Sequence, residues 1–126
     1  MESGLSERLA DLERIVARLR EAMALPPDPV VRDSAILRFE LAFEVAWKTT
    51  QAFARAQGFE ANSPRRAFEL ALRLGWIADE TLWKDVLDAR NLAVHVYREP
   101  LADSLFARLP RFLTGFDELL RGLRSP

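Results

Sequence analysis

A short stretch late in the chain gathers side chains that can act on phosphate esters. Arg90, Asn91, His95 and Tyr97 lie within eight residues, and the 126-residue sequence has one histidine and one tyrosine. A histidine titrates near neutral pH and can serve as a general acid or base. An arginine can hold a phosphate through two parallel hydrogen bonds. The stretch therefore carries a minimal set of groups for phosphodiester chemistry.

Helical spacing bears on whether these groups meet. On a continuous helix Asn91 and His95 share a face, whereas Arg90 and His95 diverge by about 140°. Arg90 reaches a site shared with His95 only if the helix ends before His95 or if its long side chain swings round. The alternative is structural: His95 closes a helix end, and Arg90 pairs with an acidic neighbour such as Asp88 or Glu99. Spacing alone leaves both interpretations open.

A second polar cluster consists of Glu40, Glu44 and Lys48. These residues recur every fourth position and so form one stripe on a predicted helix. Glu44 and Lys48 have the favourable orientation for an ion pair. The stripe could simply be solvated, or it could face the His95 region or a partner protein. The apolar residues around it favour a substrate-binding or partner-binding role as much as a solvated one.

Composition excludes several kinds of chemistry. The sequence has no cysteine, which removes disulfides, thiolate nucleophiles and zinc-thiolate sites. One histidine excludes a zinc site built from several imidazoles in one chain, although carboxylate-bound magnesium stays open. We expect no resident metal or cofactor. With 18 basic and 19 acidic residues the formal net charge is −1, so no global field draws the chain to nucleic acid.

Hydropathy and the N-terminal residues bear on location. No segment approaches the roughly 18 uninterrupted apolar residues of a membrane span, so we expect no membrane association. The first residues lack a basic region followed by an apolar stretch, as a secretory signal would require. We expect a cytoplasmic protein in which residues 1–126 form a single domain.

Apolar residues recur at three- and four-residue steps along almost the whole chain, which is typical of amphipathic helices. Prolines at positions 26, 27 and 29 predict a stiff connector after the first helix. Ser63 and Pro64 predict a helix start, while Gly58 and Gly75 predict helix ends. The first predicted helix ends near Met23. The other four run from Asp28 or Pro29 to about Gln57, from Pro64 to about Leu74, from Asp79 to about Asn91, and from about Leu101 to Leu123.

These elements predict an all-α fold. A break is expected between His95 and Pro100, so the candidate chemistry lies at a helix end. The architecture that accommodates four long helices and one short one is an up-and-down four-helix bundle, with the third helix as an extra short piece. Because such bundles serve many unrelated functions, the fold alone does not identify the chemistry.

The order of polar and aromatic residues along the chain resembles the sequence pattern of a known family. Arg90, His95 and Tyr97 match the R-x4-H-x-Y motif of the HEPN superfamily. Further positions, in the same order and over nearly the whole chain, resemble its nucleotidyltransferase substrate-binding branch: Phe39-Glu40, Phe43-Glu44, Trp47-Lys48, Gly58, Ser63-Pro64-Arg65 and Trp83. Two departures from the motif stand out. The positions between the motif residues are apolar (Ala93, Val94 and Val96), where relatives often carry small polar residues, and Arg98 replaces the acidic residue that is frequent after the tyrosine. They leave substrate preference open.

The resemblance implies a partnership. Proteins of this kind are helical bundles that form homodimers and accompany a separately encoded minimal nucleotidyltransferase. They are also similar to the helical substrate-binding domain of larger antibiotic nucleotidyltransferases. Many HEPN relatives are metal-independent ribonuclease toxins that the partner neutralises. In some pairs the partner adds adenylyl groups to the motif tyrosine, which here is Tyr97.

Two functions follow as hypotheses. In the first, the chain is a subunit that binds a minimal nucleotidyltransferase and helps bind its nucleotide or nucleic-acid substrate, within a toxin–antitoxin-like pair. In the second, it is a metal-independent ribonuclease: the ribose 2′-hydroxyl attacks the adjacent phosphate, Arg90 stabilises the charge, and Asn91 holds His95 or the phosphate. One histidine cannot readily serve both sides of the phosphate, so the site would be shared across a homodimer.

Overall fold

The computed structural model describes residues 3–125, and almost all of them are helical. Within that range there is no β-strand. None of its helices combines the length and apolarity that a membrane crossing needs. The helices are α1 (Ser3–Met23), α2 (Pro29–Ala56), α3 (Pro64–Arg73), α4 (Glu80–Leu92) and α5 (Glu99–Arg124), with a short 3₁₀ turn at Ala93–His95.

Three helices begin at the side chains that the sequence indicated. Asp28, Ser63 and Asp79 each lie before a first helical residue and accept a hydrogen bond from the backbone amide three residues further on. This contact satisfies one of the amides that a helix start leaves without an intrahelical acceptor. The predicted starts of α2, α3 and α4 are therefore confirmed.

Helix ends agree with the sequence to within about two residues. Gly58 and Gly75 have φ angles of +91° and +80°, a region that a side chain disfavours, and they follow α2 and α3 closely. Helix α5 begins at Glu99, two residues before the predicted start. Pro100 therefore lies in its first turn, where a missing amide hydrogen removes no helical hydrogen bond.

Contacts between side chains define the direction of the long helices. Arg38 donates to the carbonyl of Arg18 at 2.6 Å, and Thr49 donates to that of Arg8 at 3.4 Å. Later residues of α2 thus meet earlier residues of α1, so these two helices are antiparallel.

Helices α4 and α5 are also antiparallel. Asp85 pairs with Arg111 at 2.8 Å, whereas the earlier Trp83 packs edge-on against the later Phe116. Together with the first pair, this arrangement gives the up-and-down four-helix bundle, in which α3 packs against α2 and α4. The predicted fold class is confirmed.

Aromatic side chains from several helices form the centre of the core. Phe39 of α2 stacks on Phe112 of α5 with ring centroids 5.4 Å apart. Phe68 of α3 stacks on Trp83 of α4 at 4.5 Å. Such offset pairs add to the free energy gained by burying the rings. The core therefore ties α2, α4 and α5 into one arrangement and restrains the segment between α4 and α5.

One glycine permits a close approach of α5 to the loop that follows α3. A Cβ atom at Gly122 would lie 2.1 Å from the backbone carbonyl oxygen of Trp76. Backbone cannot move aside as a flexible side chain can, so this position excludes any side chain.

We expect Gly122→Ala to lower the free energy of unfolding by about 1–3 kcal/mol, the usual cost of overpacking. Urea denaturation followed by circular dichroism measures it. Gly4→Ala is the matched control, because nothing lies within 4 Å of its Cβ position. A Gly122→Ala chain as stable as the Gly4→Ala chain would contradict the close approach.

Candidate functional site

The candidate chemistry lies where α4 gives way to α5. Helix α4 ends at Leu92, and the backbone tightens into the 3₁₀ turn of Ala93–His95 before it reverses direction at residues 96–98. The α-helix thus ends before His95, as a shared site requires, but Arg90 lines a cleft against α2 whereas His95 faces solvent outside it. Only Ala93 of the 3₁₀ turn is buried.

Arg90 is held by residues of α2 rather than by its neighbours in sequence. Its Nη2 lies 2.7 Å from Oε1 of Glu44, and its guanidinium lies over the ring of Phe43, 5.2 Å from the centroid. The carboxylate that pairs with Arg90 is therefore that of Glu44, not Asp88 or Glu99. The cation–π contact and the ion pair orient the guanidinium from two directions.

Glu44 connects three side chains. Besides accepting from Arg90, it accepts a hydrogen bond from Nε1 of Trp47 at 3.1 Å. Nζ of Lys48 lies 3.9 Å from Oε2 of Glu44, at the outer limit of an ion pair. The predicted ion pair of Glu44 and Lys48 is thus present, but it is the longest of the three polar contacts that Glu44 makes. Lys48 itself is exposed and borders a separate hollow with Arg8, Asp11, Val45 and Thr49.

An open cleft of about 330 Å³ separates α2 from the end of α4. It is lined by Glu40, Glu44, Arg90, Asn91 and Val94. The fold thus brings together four of the residues that the sequence singled out, from two segments far apart along the chain. Lys48, His95 and Tyr97 are not part of this lining.

The cleft offers two carboxylates, one guanidinium and one carboxamide. Arg90 can bind a phosphate or carboxylate, and Asn91 can donate to one and accept from a base or a hydroxyl. Within residues 3–125 there is no group of three or more histidine, cysteine, aspartate or glutamate side chains that could hold a metal ion.

Glu40 is the half-buried acid of the cleft. Burial raises the pKa of its carboxyl above the ordinary value, and the nearby charge of Arg90 lowers it in part. Desolvation disfavours the ionised form, whereas a cation favours it, so the two effects oppose each other.

His95 and Tyr97 face solvent beside each other. The Tyr97 hydroxyl lies 3.5 Å from Nδ1 of His95, with ring centroids 6.0 Å apart at 72°. The guanidinium of Arg98 lies 5.7 Å from the Tyr97 ring centroid. Because 71% of Tyr97 is exposed, its hydroxyl is open to a macromolecular partner.

Sequence reasoning assigned no role at the site to three residues that support it, although Phe43 and Trp47 were among the positions of the family resemblance. Phe43 lies under Arg90, Trp47 donates to Glu44, and Arg32 binds Glu99 at the start of α5. The three-residue spacing of Glu44 and Trp47 could have indicated their contact. No local pattern indicated Phe43 beneath Arg90 or Arg32 beside Glu99, because each pair joins different helices.

Fold and site together define a helical bundle in which Arg90, at the end of α4, precedes the exposed His95 and Tyr97 of the α4–α5 junction. The sequence profile of the family described as nucleotidyltransferase substrate binding protein like matches residues 7–125. The chain belongs to this family.

Individual relatives agree with this assignment. A Thermus thermophilus protein of known crystal structure is 42% identical, with a TM-score of 0.85 over 90% of this chain and 99% of that one. The probable ribonuclease HepT of Haemophilus influenzae is 27% identical over 90% of this chain and 85% of its own length. A tri-AMPylated HEPN toxin of Shewanella oneidensis, solved in complex with MNT antitoxin, is 21% identical, and its TM-score of 0.80 over both whole chains shows a shared fold.

We expect Glu40 to titrate above its ordinary pKa of 4.5, and Arg90→Ala to raise that pKa further, because the substitution removes the cation that lowers it. Carbon-13 NMR of the glutamate carboxyl carbons, assigned with Glu40→Gln, measures both values. Arg111→Ala is the control, since it removes the same charge from an ion pair with Asp85.

The same shift has a consequence for stability. A carboxyl whose pKa is higher in the folded chain stabilises it below the unfolded-state pKa, and this contribution is lost as pH rises through the folded-state pKa. Glu40→Gln should therefore gain stability relative to the natural chain between acid and neutral pH. A Glu40 pKa at or below 4.5 would contradict both expectations.

Proposed function

We propose that this chain is a helical subunit that binds a separately encoded minimal nucleotidyltransferase and helps bind its nucleotide or nucleic-acid substrate. The observation that carries the proposal is the family match, which extends over residues 7–125. The S. oneidensis relative was solved with its MNT antitoxin, which supports a toxin–antitoxin-like pair. Such a pair acts on nucleotides or RNA, so we place it in the cytoplasm.

A homodimer is part of this proposal. Leu37 and Leu41 of α2 and Val94 after α4 are 56%, 46% and 67% exposed. By helical spacing the two leucines share a face with Glu40 and Glu44, and Val94 lines the same cleft. Exposed apolar side chains grouped around a polar cleft support the proposal of an interface on this face. A two-fold contact through this face would bring two copies of the cleft together.

Tyr97 is the proposed acceptor of adenylyl groups. In this step its hydroxyl oxygen attacks the α-phosphorus of ATP held by the partner, the bond to the β-phosphate breaks, and pyrophosphate leaves. The hydroxyl proton has to be accepted by a base. The contact of 3.5 Å between the Tyr97 hydroxyl and Nδ1 of His95 supports His95 for that role.

Co-expression with the minimal nucleotidyltransferase of the same genome tests the proposal. We expect the two chains to co-purify and the chain to gain adenylyl mass at Tyr97, detected by mass spectrometry. Tyr97→Phe should still bind the partner but stay unmodified. Failure of the unmodified, folded chain to bind the partner would refute the subunit proposal, whereas binding without added mass would refute the modification alone.

A metal-independent ribonuclease is the second candidate function. The exposed His95 and the Arg90 and Asn91 of the cleft supply the groups that 2′-hydroxyl attack requires, and the H. influenzae relative carries a ribonuclease name. The products are a 2′,3′-cyclic phosphate and a free 5′-hydroxyl. A second His95 from the other protomer would supply the acid for the leaving oxygen.

If the chain is a ribonuclease, purified protein should cut a mixed RNA pool in excess chelator. The His95→Ala chain should cut the same pool at least about 100-fold more slowly. Leu41→Glu should give a folded monomer that is also inactive, because the shared site is lost. Leu25→Glu, an equally drastic change at an exposed leucine of the α1–α2 connector, should keep both the dimer and the activity. A Leu41→Glu monomer with full activity would rule out a composite site.

A further inference from the structure

Among the residues that the structure describes, Arg32 is the one charged residue that is buried. It lies in the first turns of α2, and its guanidinium meets three carboxylates. Nε lies 2.9 Å from Asp33 on the same helix, and Nη1 lies 2.5 Å from Oε2 of Glu99 and 3.0 Å from Asp103. Nη2 reaches the second oxygen of Glu99 at 3.3 Å, so that pair is bidentate.

The chemistry of this contact demands an arginine. A buried charge is costly unless its hydrogen-bond capacity is used, and the planar guanidinium fork uses it against a carboxylate better than an ammonium can. The hydrogen bond that Arg32 donates to Glu99, the strongest influence, raises the pKa of Arg32 above its ordinary value. Glu99 and Asp103 are both largely exposed, so it is their position on α5 that Arg32 holds.

Glu99 occupies a particular place in the chain. It is the first residue of α5 and follows Tyr97 by two positions. The other side of the same junction is held by Arg90, whose guanidinium pairs with Glu44. Helix α2 thus contacts both sides of the turn formed by residues 93–98. Glu44 pairs with Arg90 before the turn, and Arg32 pairs with Glu99 after it.

Inside the turn the backbone amide of Arg98 donates to the carbonyl of His95 at 3.1 Å and Val96 packs against the core, but the polar side-chain contacts are weaker. The His95–Tyr97 distance of 3.5 Å is at the limit of a hydrogen bond, and both rings face solvent. Arg98, the residue before α5, makes no side-chain capping hydrogen bond. The two flanking ion pairs therefore restrain the turn more firmly than the polar side chains of the turn itself do.

We propose that Arg32 is a positioning residue for His95 and Tyr97, which acts by fixing Glu99 and with it the exit of the turn. The role in modification rests on the proposed function, whereas the role in geometry does not. The contrasting explanation is that the cluster only stabilises the bundle. In that case its loss would lower stability and leave the turn unchanged in the folded chain.

The composition of the chain makes the geometry directly measurable. Tyr97 and His95 are the only residues of their types, so fluorotyrosine labelling gives one fluorine signal and selective histidine labelling gives one imidazole. NMR of the folded chain then reports the turn alone. Far-UV circular dichroism and urea denaturation of the same samples report the fold.

Glu99→Gln and Arg32→Lys break the bidentate pair while keeping side-chain size close to the original. We expect both to shift the Tyr97 and His95 signals and to weaken the cross-relaxation between the two rings. Asp33→Asn is the matched control, because Asp33 binds Arg32 at 2.9 Å but lies on α2 and does not hold α5. It should leave both signals in place.

Unchanged signals in a folded Glu99→Gln chain would overturn the proposal, and so would an equal shift in Asp33→Asn. Because Glu99 is exposed, this variant keeps the test open if Arg32→Lys does not fold.

A second readout addresses function. With the nucleotidyltransferase present, Glu99→Gln should slow adenylylation of Tyr97 about tenfold or more at saturating ATP, with an unchanged KM for ATP, because misplacement of the acceptor affects the transfer step. An unchanged rate would overturn the functional role. Were the natural chain itself never modified, the proposed function would fail while the NMR comparison still decided the positioning role.

Discussion

Helix α2 has to bury apolar residues against α1, α3 and α5 at once, and this constraint determines where the α2 groups of the candidate site lie. Phe39 and Phe43 face the aromatic core from one helix, which fixes the rotation of α2. Once that rotation is set, Glu40 and Glu44 necessarily point to the end of α4. The same packing carries Arg32 to the start of α5, so the core and the polar site are specified together.

Electrostatics then limits what the site can bind. Arg90 is already paired with Glu44, so a phosphate has to compete with a carboxylate for the guanidinium. The half-buried Glu40 adds a second acid whose ionisation is disfavoured by burial. With a net charge of −1 the chain also lacks a long-range attraction for RNA. A ligand therefore has to gain affinity from fitting the cleft or from contacts that a partner or second protomer supplies, which agrees with a subunit of a larger assembly.

The division between the cleft and the exposed pair gives the junction two separate surfaces. Arg90 and Asn91 face the cleft, while His95 and Tyr97 lie outside its lining. The switch from an α-helix to a 3₁₀ turn at Ala93 changes the direction in which successive side chains project, and this change separates them. Arg90 is restrained through α2, and Tyr97 is left accessible. The proposed modifying partner and the proposed RNA or nucleotide ligand would thus meet adjoining but distinct parts of one segment.

The sequence alone determined the elements, because their signals are local: apolar periodicity, the capping side chains Asp28, Ser63 and Asp79, and the glycines that end helices. The motif residues were likewise evident from their types and spacing. Only the tertiary structure decided which of them meet. Arg90 binds Glu44, 46 positions away, and Arg32 binds Glu99, 67 positions away. Such pairs depend on the rotation and direction of packed helices, which the whole core sets and no local pattern records.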